Sequence, residues 1–316
     1  MRRTYRALAL TACVALVVSA CGDGSGDGRS GDSGGVVATT TMLGSIASDI
    51  ATCAGGSART LMPVGADPHE YQPASSDVAD MVHADLVVMN GLGLEVGMAD
   101  SVRSAEADGA SVLEVAEQVD PLPFAADEGG SGAGSEKGSA ESLDPHFWLD
   151  AARGAAAAAV IGDRWAEETG DDTFRRCGQE VEADLRAVDE QVRAILEPIP
   201  AQHRVLVTDH EALGYFASAY GFSVVGTVIP GGSTLAEPSS ADLAELVTDI
   251  DSTGAPAIFT NSTSSPDLAT AVAKEVGRDV AVVELYVGSL GEEGSGADTY
   301  AGMLRTNAER IAAALG

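Results

Sequence analysis

"DDTFRRCGQEVEADLRAVDEQVRAILEPIP", residues 171–200, decides the architecture of this chain. Val181, Leu185, Val188, Val192 and Ile195 recur at spacings of four, three, four and three. Those intervals stack apolar side chains on one stripe of an α-helix, and Asp, Glu and Arg occupy the rest of its circumference. Asp171 and Asp172 suit the positive end of a helix dipole, while Pro198 and Pro200 cannot continue it. The pattern predicts one helix over 171–197. At about 1.5 Å per residue it is roughly 40 Å long, enough to run the length of two lobes.

Outward from this helix, both flanks alternate between short apolar runs and helical stretches. Before it come "GGVVATTTMLGSIASDIA", "RTLMPVG", "ADLVVMNGLG" and "SVLEVA", with "PASSDVADMVHA" as a helix among them. After it come "HRVLVTDH", "SVVGTVIP", "PAIFTNSTS" and "VAVVELYVG", and Thr299 to Leu315 reads as a closing helix. Strands alternating with helices indicate an α/β fold with parallel sheets. The expected organisation is two lobes, each with a central, mainly parallel sheet flanked by helices, joined by the long helix. The N-terminal lobe takes 36–170 and the C-terminal lobe 198–316. The stretch 125–143, "AADEGGSGAGSEKGSAESL", is low-complexity and reads as a surface loop.

The N-terminus reads as an address. Arg2, Arg3 and Arg6 precede "ALALTACVALVV", which is too short to span a bilayer and resembles the apolar region of a secretory signal. Small residues ahead of Cys21 resemble the lipobox of bacterial lipoproteins, in which the cysteine is acylated and becomes the first mature residue. Residues 1–20 are then a signal peptide, and 21–35 a flexible Gly/Ser/Asp tether with nothing to bury. The formal charge is −30, and removal of three arginines and no acids makes it −33. Such acidity argues against nucleic acid, whose phosphates are bound by Lys and Arg. Beyond Cys21, maturation leaves Cys53 and Cys177, which form either one disulfide or two buried thiols; sequence alone does not place their Cα atoms within bridging distance.

Five histidines occur in the whole chain. His83 reads as mid-helix and His203 as part of a turn after Pro200. His69, His146 and His210 are different: each is placed where a strand runs out into a loop, in "PVGADPHEYQP", "DPHFWLD" and "VTDHEALGYF". That edge of an open α/β sheet is where ligands bind. Each also has an acid or Pro within two positions, so carboxylates are at hand to orient the rings. Neutral imidazoles from separate loops suit a transition metal such as zinc, held at about 2.0–2.1 Å in a tetrahedral shell, whereas calcium and magnesium want oxygen. "HEYQP" and "HEALG" begin like a metalloprotease helix, yet neither has a second histidine four residues on. The glycine-rich segments lack a strand before and a helix after, so they make no phosphate loop. Asp209 or Glu211 beside His210 is a candidate general base for a zinc hydrolase, but reads more simply as support for the histidine or as surface.

Three stretches carry a family resemblance. "GADPHEYQPASSDVADMVHADLVVMNGLGLE", "DPHFWLD" and "VTDHEALGYFASAYGF" resemble, in order, signatures of the solute-binding lipoproteins of zinc and manganese ABC importers, and the similarity runs from about Val36 to Leu315. It implies a metal site built from His69 and His146 of the first lobe and His210 of the second. It also implies Zn2+ as cargo with Mn2+ the alternative, an ABC permease as partner, no enzymatic activity, a lipid anchor on the outer face of the cell membrane, and a monomer. Two departures stand out. Counting back from "DTY" at Asp298, the family's fourth ligand, an aspartate, falls on Gly288, leaving an open position or a carboxylate from Glu292 or Glu293. The loop before the second histidine, often histidine-rich in zinc members, here offers only acids such as Asp127, Glu128, Glu136 and Glu141, a weak metal lure or a plain spacer. A surface adhesin is a further alternative, and it would tolerate loss of the three histidines. A stiff interlobe helix predicts small rocking on metal binding. Histidine ligation predicts weakening below about pH 6.5.

Overall fold

The computed structural model describes residues 34–124 and 142–316. The expected signal peptide, Cys21, nearly all of the expected tether and nearly all of the low-complexity stretch 125–143, with Asp127, Glu128, Glu136 and Glu141, lie outside the described residues. The first sheet contains β1 (Val36–Ala38), β2 (Ala58–Thr60), β3 (Leu86–Met89) and β4 (Val112–Glu114) in the order β2-β1-β3-β4, all parallel. The second repeats that plan with β5 (Val205–Thr208), β6 (Ser223–Thr227), β7 (Ala257–Asn261) and β8 (Ala281–Leu285) in the order β6-β5-β7-β8. In each sheet the chain leaves its first strand in one direction for the second and lies on the other side for the third. This creates a switch point where loops diverge and open a crevice. The inner strands β3 and β7 are buried along their whole length, as continuous apolar runs in parallel sheets should be.

Helices α1 (Thr41–Ala54), α2 (Ser75–His83) and α3 (Ala99–Ala107) accompany the first sheet, and α6 (Gly214–Tyr220), α7 (Ser240–Thr253) and α8 (Asp267–Glu275) the second, with α4 (Ala151–Thr169) and α5 (Asp172–Leu196) between them. The long helix α5 is capped by Asp171, whose carboxylate accepts from Thr173 N, and ends just before Pro198. Val181, Leu185, Val188 and Val192 are buried on it as the periodicity requires, but the last core position is Leu196; Ile195 is only partly buried. A helix of 3.6 residues per turn drifts from a 3.5-residue repeat, and four steps past Val192 face the core better than three. Helix α4 packs directly on α5. A Cβ at Gly162 would lie 2.7 Å from Gly178 Cα, so the two backbones meet where neither residue has a side chain.

The closing helix α9 (Tyr300–Leu315) returns to pack on α5, α1 and β8. One continuous apolar core therefore contains Val88 and Trp148 with Leu185, Phe259 and Met303, passing through both lobes. Smaller clusters fill the outer faces, around Val87 and Met81 in the first lobe and Ile258 and Leu246 in the second. Cys53 and Cys177 form a disulfide with Cα atoms 5.7 Å apart, tying α1 to α5.

The strand-end placement of the histidines needs correction. Only His210 follows a strand closely, two residues after β5. His69 lies nine residues beyond β2, and His146 caps the 3-10 turn Phe147–Leu149 that leads into α4, preceded among the described residues by the isolated bridge Pro123–Leu143. His83 ends α2 with Nδ1 on the Ala79 carbonyl, and His203 bonds the Leu315 carbonyl, so both are accounted for locally.

Candidate metal centre

Three loops of different length deliver three buried imidazoles to one point. His69, His146 and His210 are 4%, 1% and 2% exposed, and one ligand atom from each lies within 4.8 Å of the others. Among the described residues, this is the group of His, Cys, Asp and Glu side chains that converges in this way. Ring centroids are 5.2–5.6 Å apart.

Each ring is held by its own loop. The Asp67 carboxylate accepts from the His69 backbone amide at 2.9 Å, and the Asp67 carbonyl accepts from Glu70 and Tyr71, forming a tight turn. Across the cleft, Gly65 N donates to Ser289 Oγ at 2.8 Å, anchoring the His69 loop to the second lobe. The second "DPH" repeats the turn: Asp144 Oδ1 accepts from His146 N at 2.9 Å and lies 2.8 Å from His146 Nδ1. His210 Nδ1 is 3.4 Å from Asp209 Oδ2, which also accepts from Ser264 Oγ.

With these Nδ1 atoms facing carboxylates, the Nε2 atoms of His146 and His210 face each other at 3.3 Å. Two nitrogens bound to one ion at 2.0–2.1 Å and the tetrahedral angle stand about 3.3–3.4 Å apart, so the observed spacing is compatible with two ligands of one small transition-metal ion. Burial also favours the neutral ring, the form that binds metal, at His69 and His146. It pushes His69 down to about 3, helped by its two neighbouring histidines against Asp67, and pushes His146 well below its ordinary value, with His210 adding to the effect. Burial raises Asp144 to about 7, opposed by the His146 amide and by His210.

Neither carboxylate proposed for the fourth position reaches the site. Glu292 and Glu293 are exposed, and the group of converging side chains that could hold a metal contains neither. Gly288 is buried, donates its N–H to Asn261 Oδ1, and has Pro68 Cδ 3.1 Å from where a Cβ would stand. The loop carrying His69 thus closes directly over this glycine. A depression of about 480 Å³ lined by Glu190, Arg193, Glu197, Arg204 and Tyr220 contains none of the three histidines.

Several supports have no local signal in the sequence. Tyr215 OH donates to the Asp144 carbonyl across 71 residues, and Trp148 Nε1 to the Val287 carbonyl across 139. Glu95 is fully buried and accepts from Thr39 Oγ1 and the amides of Asn90 and Gly91; Asn90 Nδ2 in turn donates to the Pro145 carbonyl beside His146. The acid ending "NGLGLE" was the only hint of that chain of contacts.

The family described as the periplasmic component A of zinc-uptake complexes matches residues 36–314. The zinc-binding protein TroA of Treponema pallidum is 33% identical over 285 residues, covering 87% of each chain. The manganese-binding lipoprotein MntA of Bacillus subtilis is 32% identical over 327 residues, covering all of both. The solved structure of periplasmic TroA superposes with a TM-score of 0.78 at 31% identity, over 89% of this chain and 98% of that one. A manganese-bound periplasmic metal-binding protein from Candidatus Liberibacter asiaticus, at 23% identity and a TM-score of 0.74, shares the fold.

Proposed function

The chain belongs to the family of periplasmic A components of zinc-uptake complexes, a metal-binding, substrate-binding protein of an ABC importer and not an enzyme; from that premise we propose that its cargo is zinc, held by His69, His146 and His210. The observation that carries this reading is a buried, all-imidazole donor set whose two facing Nε2 atoms are 3.3 Å apart, with no carboxylate in the group. Imidazole suits zinc, while manganese favours carboxylate and water oxygen. Three imidazole ligands in a buried pocket leave one position of the tetrahedron for water or a small anion.

The division into lobes at 36–170 and 198–316 with the helix 171–197 between them belongs to the same proposal, as does delivery to an ABC permease by a monomer tethered through lipid on Cys21. The disulfide supports an extracytoplasmic location, because such bonds persist in oxidising compartments. Manganese is the second reading, favoured by relatives named as manganese-binding.

Competitive zinc titration of the chain from Gly22 onward should give one zinc per chain, lost in the His69→Ala, His146→Ala, His210→Ala triple variant. Affinity alone does not separate the two cargoes, since nitrogen sites bind zinc more tightly than manganese in any case. The deciding measurement is uptake of radioactive zinc and manganese by cells with and without the chain. Loss of zinc uptake alone supports the proposal; loss of manganese uptake alone overturns it.

A further inference from the structure

Resting on the three-histidine reading, we infer that Asp144 is a positioning residue for metal capture: seated by helix α6 of the second lobe, it fixes the His146 proton on Nδ1 and leaves Nε2 as the ligand atom. The geometry is specific. One oxygen, Oδ1, is the acceptor for the His146 backbone amide at 2.9 Å and faces the ring Nδ1 at 2.8 Å, with side-chain exposures of 3% and 1%. An oxygen that already accepts a backbone N–H accepts from the ring as well, so Nδ1 carries the hydrogen. The free lone pair then lies on Nε2, the atom that faces His210.

What holds Asp144 comes from both lobes. Its N–H donates to the Leu122 carbonyl at 2.8 Å, and its own carbonyl accepts from Tyr215 OH at 2.8 Å. The second carboxylate oxygen, Oδ2, lies 2.8 Å from where a Cβ at Gly214 would stand, so only glycine there leaves room for it. Gly214 and Tyr215 are the first two residues of α6 and follow His210 by four and five positions. The same short segment that presents one ligand therefore seats the carboxylate that aims another, which locks ligands from the two lobes in register. The other aspartates do less: Asp67 caps only the His69 backbone amide, and Asp209 stands 3.4 Å from its ring nitrogen.

Zinc competition and the 15N imidazole shifts of His146 are to be measured on the chain from Gly22 onward and on Asp144→Ala, Asp144→Asn and Gly214→Ala. Losing a partner that orients a metal-ligating histidine weakens binding by about 10–100-fold. Asp144→Ala should show that loss together with a shift of the metal-free tautomer away from Nδ1–H. Asp144→Asn, whose carboxamide oxygen still accepts both donors, should keep the tautomer and recover most of the affinity. Gly214→Ala, which displaces Oδ2, should fall between, and it carries the test if Asp144→Ala does not fold. Zinc affinity of Asp144→Ala within about threefold of the unaltered chain overturns the inference, and so does weaker binding with an unchanged tautomer. If the unaltered chain takes up no zinc, or the triple-histidine variant still does, the cargo reading is what fails, and the tautomer in Asp144→Ala still decides the role of Asp144.

Discussion

At the scale of single residues, burial governs how this site meets protons. A solvated imidazole titrates near 6.5, which led to an expected weakening of metal binding below that pH. His69 is instead held neutral to about 3, because desolvation and two neighbouring imidazoles penalise its charged form. Competition from protons on His69 therefore begins far lower than the sequence suggests. The same shift bears on stability. Between about 6.5 and 3 the unfolded chain takes a proton on His69 that the folded chain refuses, so stability falls as pH drops, by about 1.4 kcal/mol per pH unit for that group. Asp144 acts with the opposite sign: raised to about 7 from 3.8, it holds a proton in the folded state that the unfolded chain gives up across that window. Urea unfolding of the metal-free protein at pH 6.5 and 5 should accordingly show a smaller acid loss in His69→Gln than in the unaltered chain. Equal losses in the two would mean that His69 is solvated and protonates normally.

At the scale of elements, α1, α4 and α5 form the spine that fixes one lobe against the other. Gly162 and Gly178 let α4 and α5 touch backbone to backbone, and the Cys53–Cys177 bond fastens α1 to the same helix. The two cysteines are 124 residues apart in sequence, so the bond closes a long loop in the unfolded chain. On the chain-entropy account, a loop of that length is stabilised by about 4–5 kcal/mol. Cys53→Ser with Cys177→Ser should lower the thermal midpoint by many degrees while leaving zinc stoichiometry at one in the folded fraction, because neither sulfur lies in the metal site. An unchanged midpoint, measured by calorimetry under non-reducing conditions, would show that the bond contributes nothing to stability in solution.

At the scale of the whole molecule, the continuous core argues against a wide hinge. Trp148 donates to the Val287 carbonyl, Tyr300 OH donates to the Trp148 carbonyl at 2.6 Å, and Leu290 N donates to Thr41 Oγ1, all linking the first lobe to the C-terminal part of the chain. Opening such a cleft would expose apolar core and break buried hydrogen bonds together. Small-angle scattering with and without zinc should therefore differ by no more than a small fraction of the radius of gyration; a large contraction on loading would refute a stiff interlobe spine. The sequence by itself determined the alternation of strands and helices, the long amphipathic helix with its Asp171 cap and proline stop, and which three of the five histidines stand apart from ordinary helix and turn positions. Those are properties of local periodicity, capping chemistry and residue type, which neighbouring positions encode. Only the tertiary structure decided that Cys53 meets Cys177, that Glu292 and Glu293 stay outside, that Pro68 closes over Gly288, and that Gly214 and Tyr215 seat Asp144. Each of these depends on groups tens to hundreds of residues apart being packed to within a few ångströms, and no short-range pattern carries that distance.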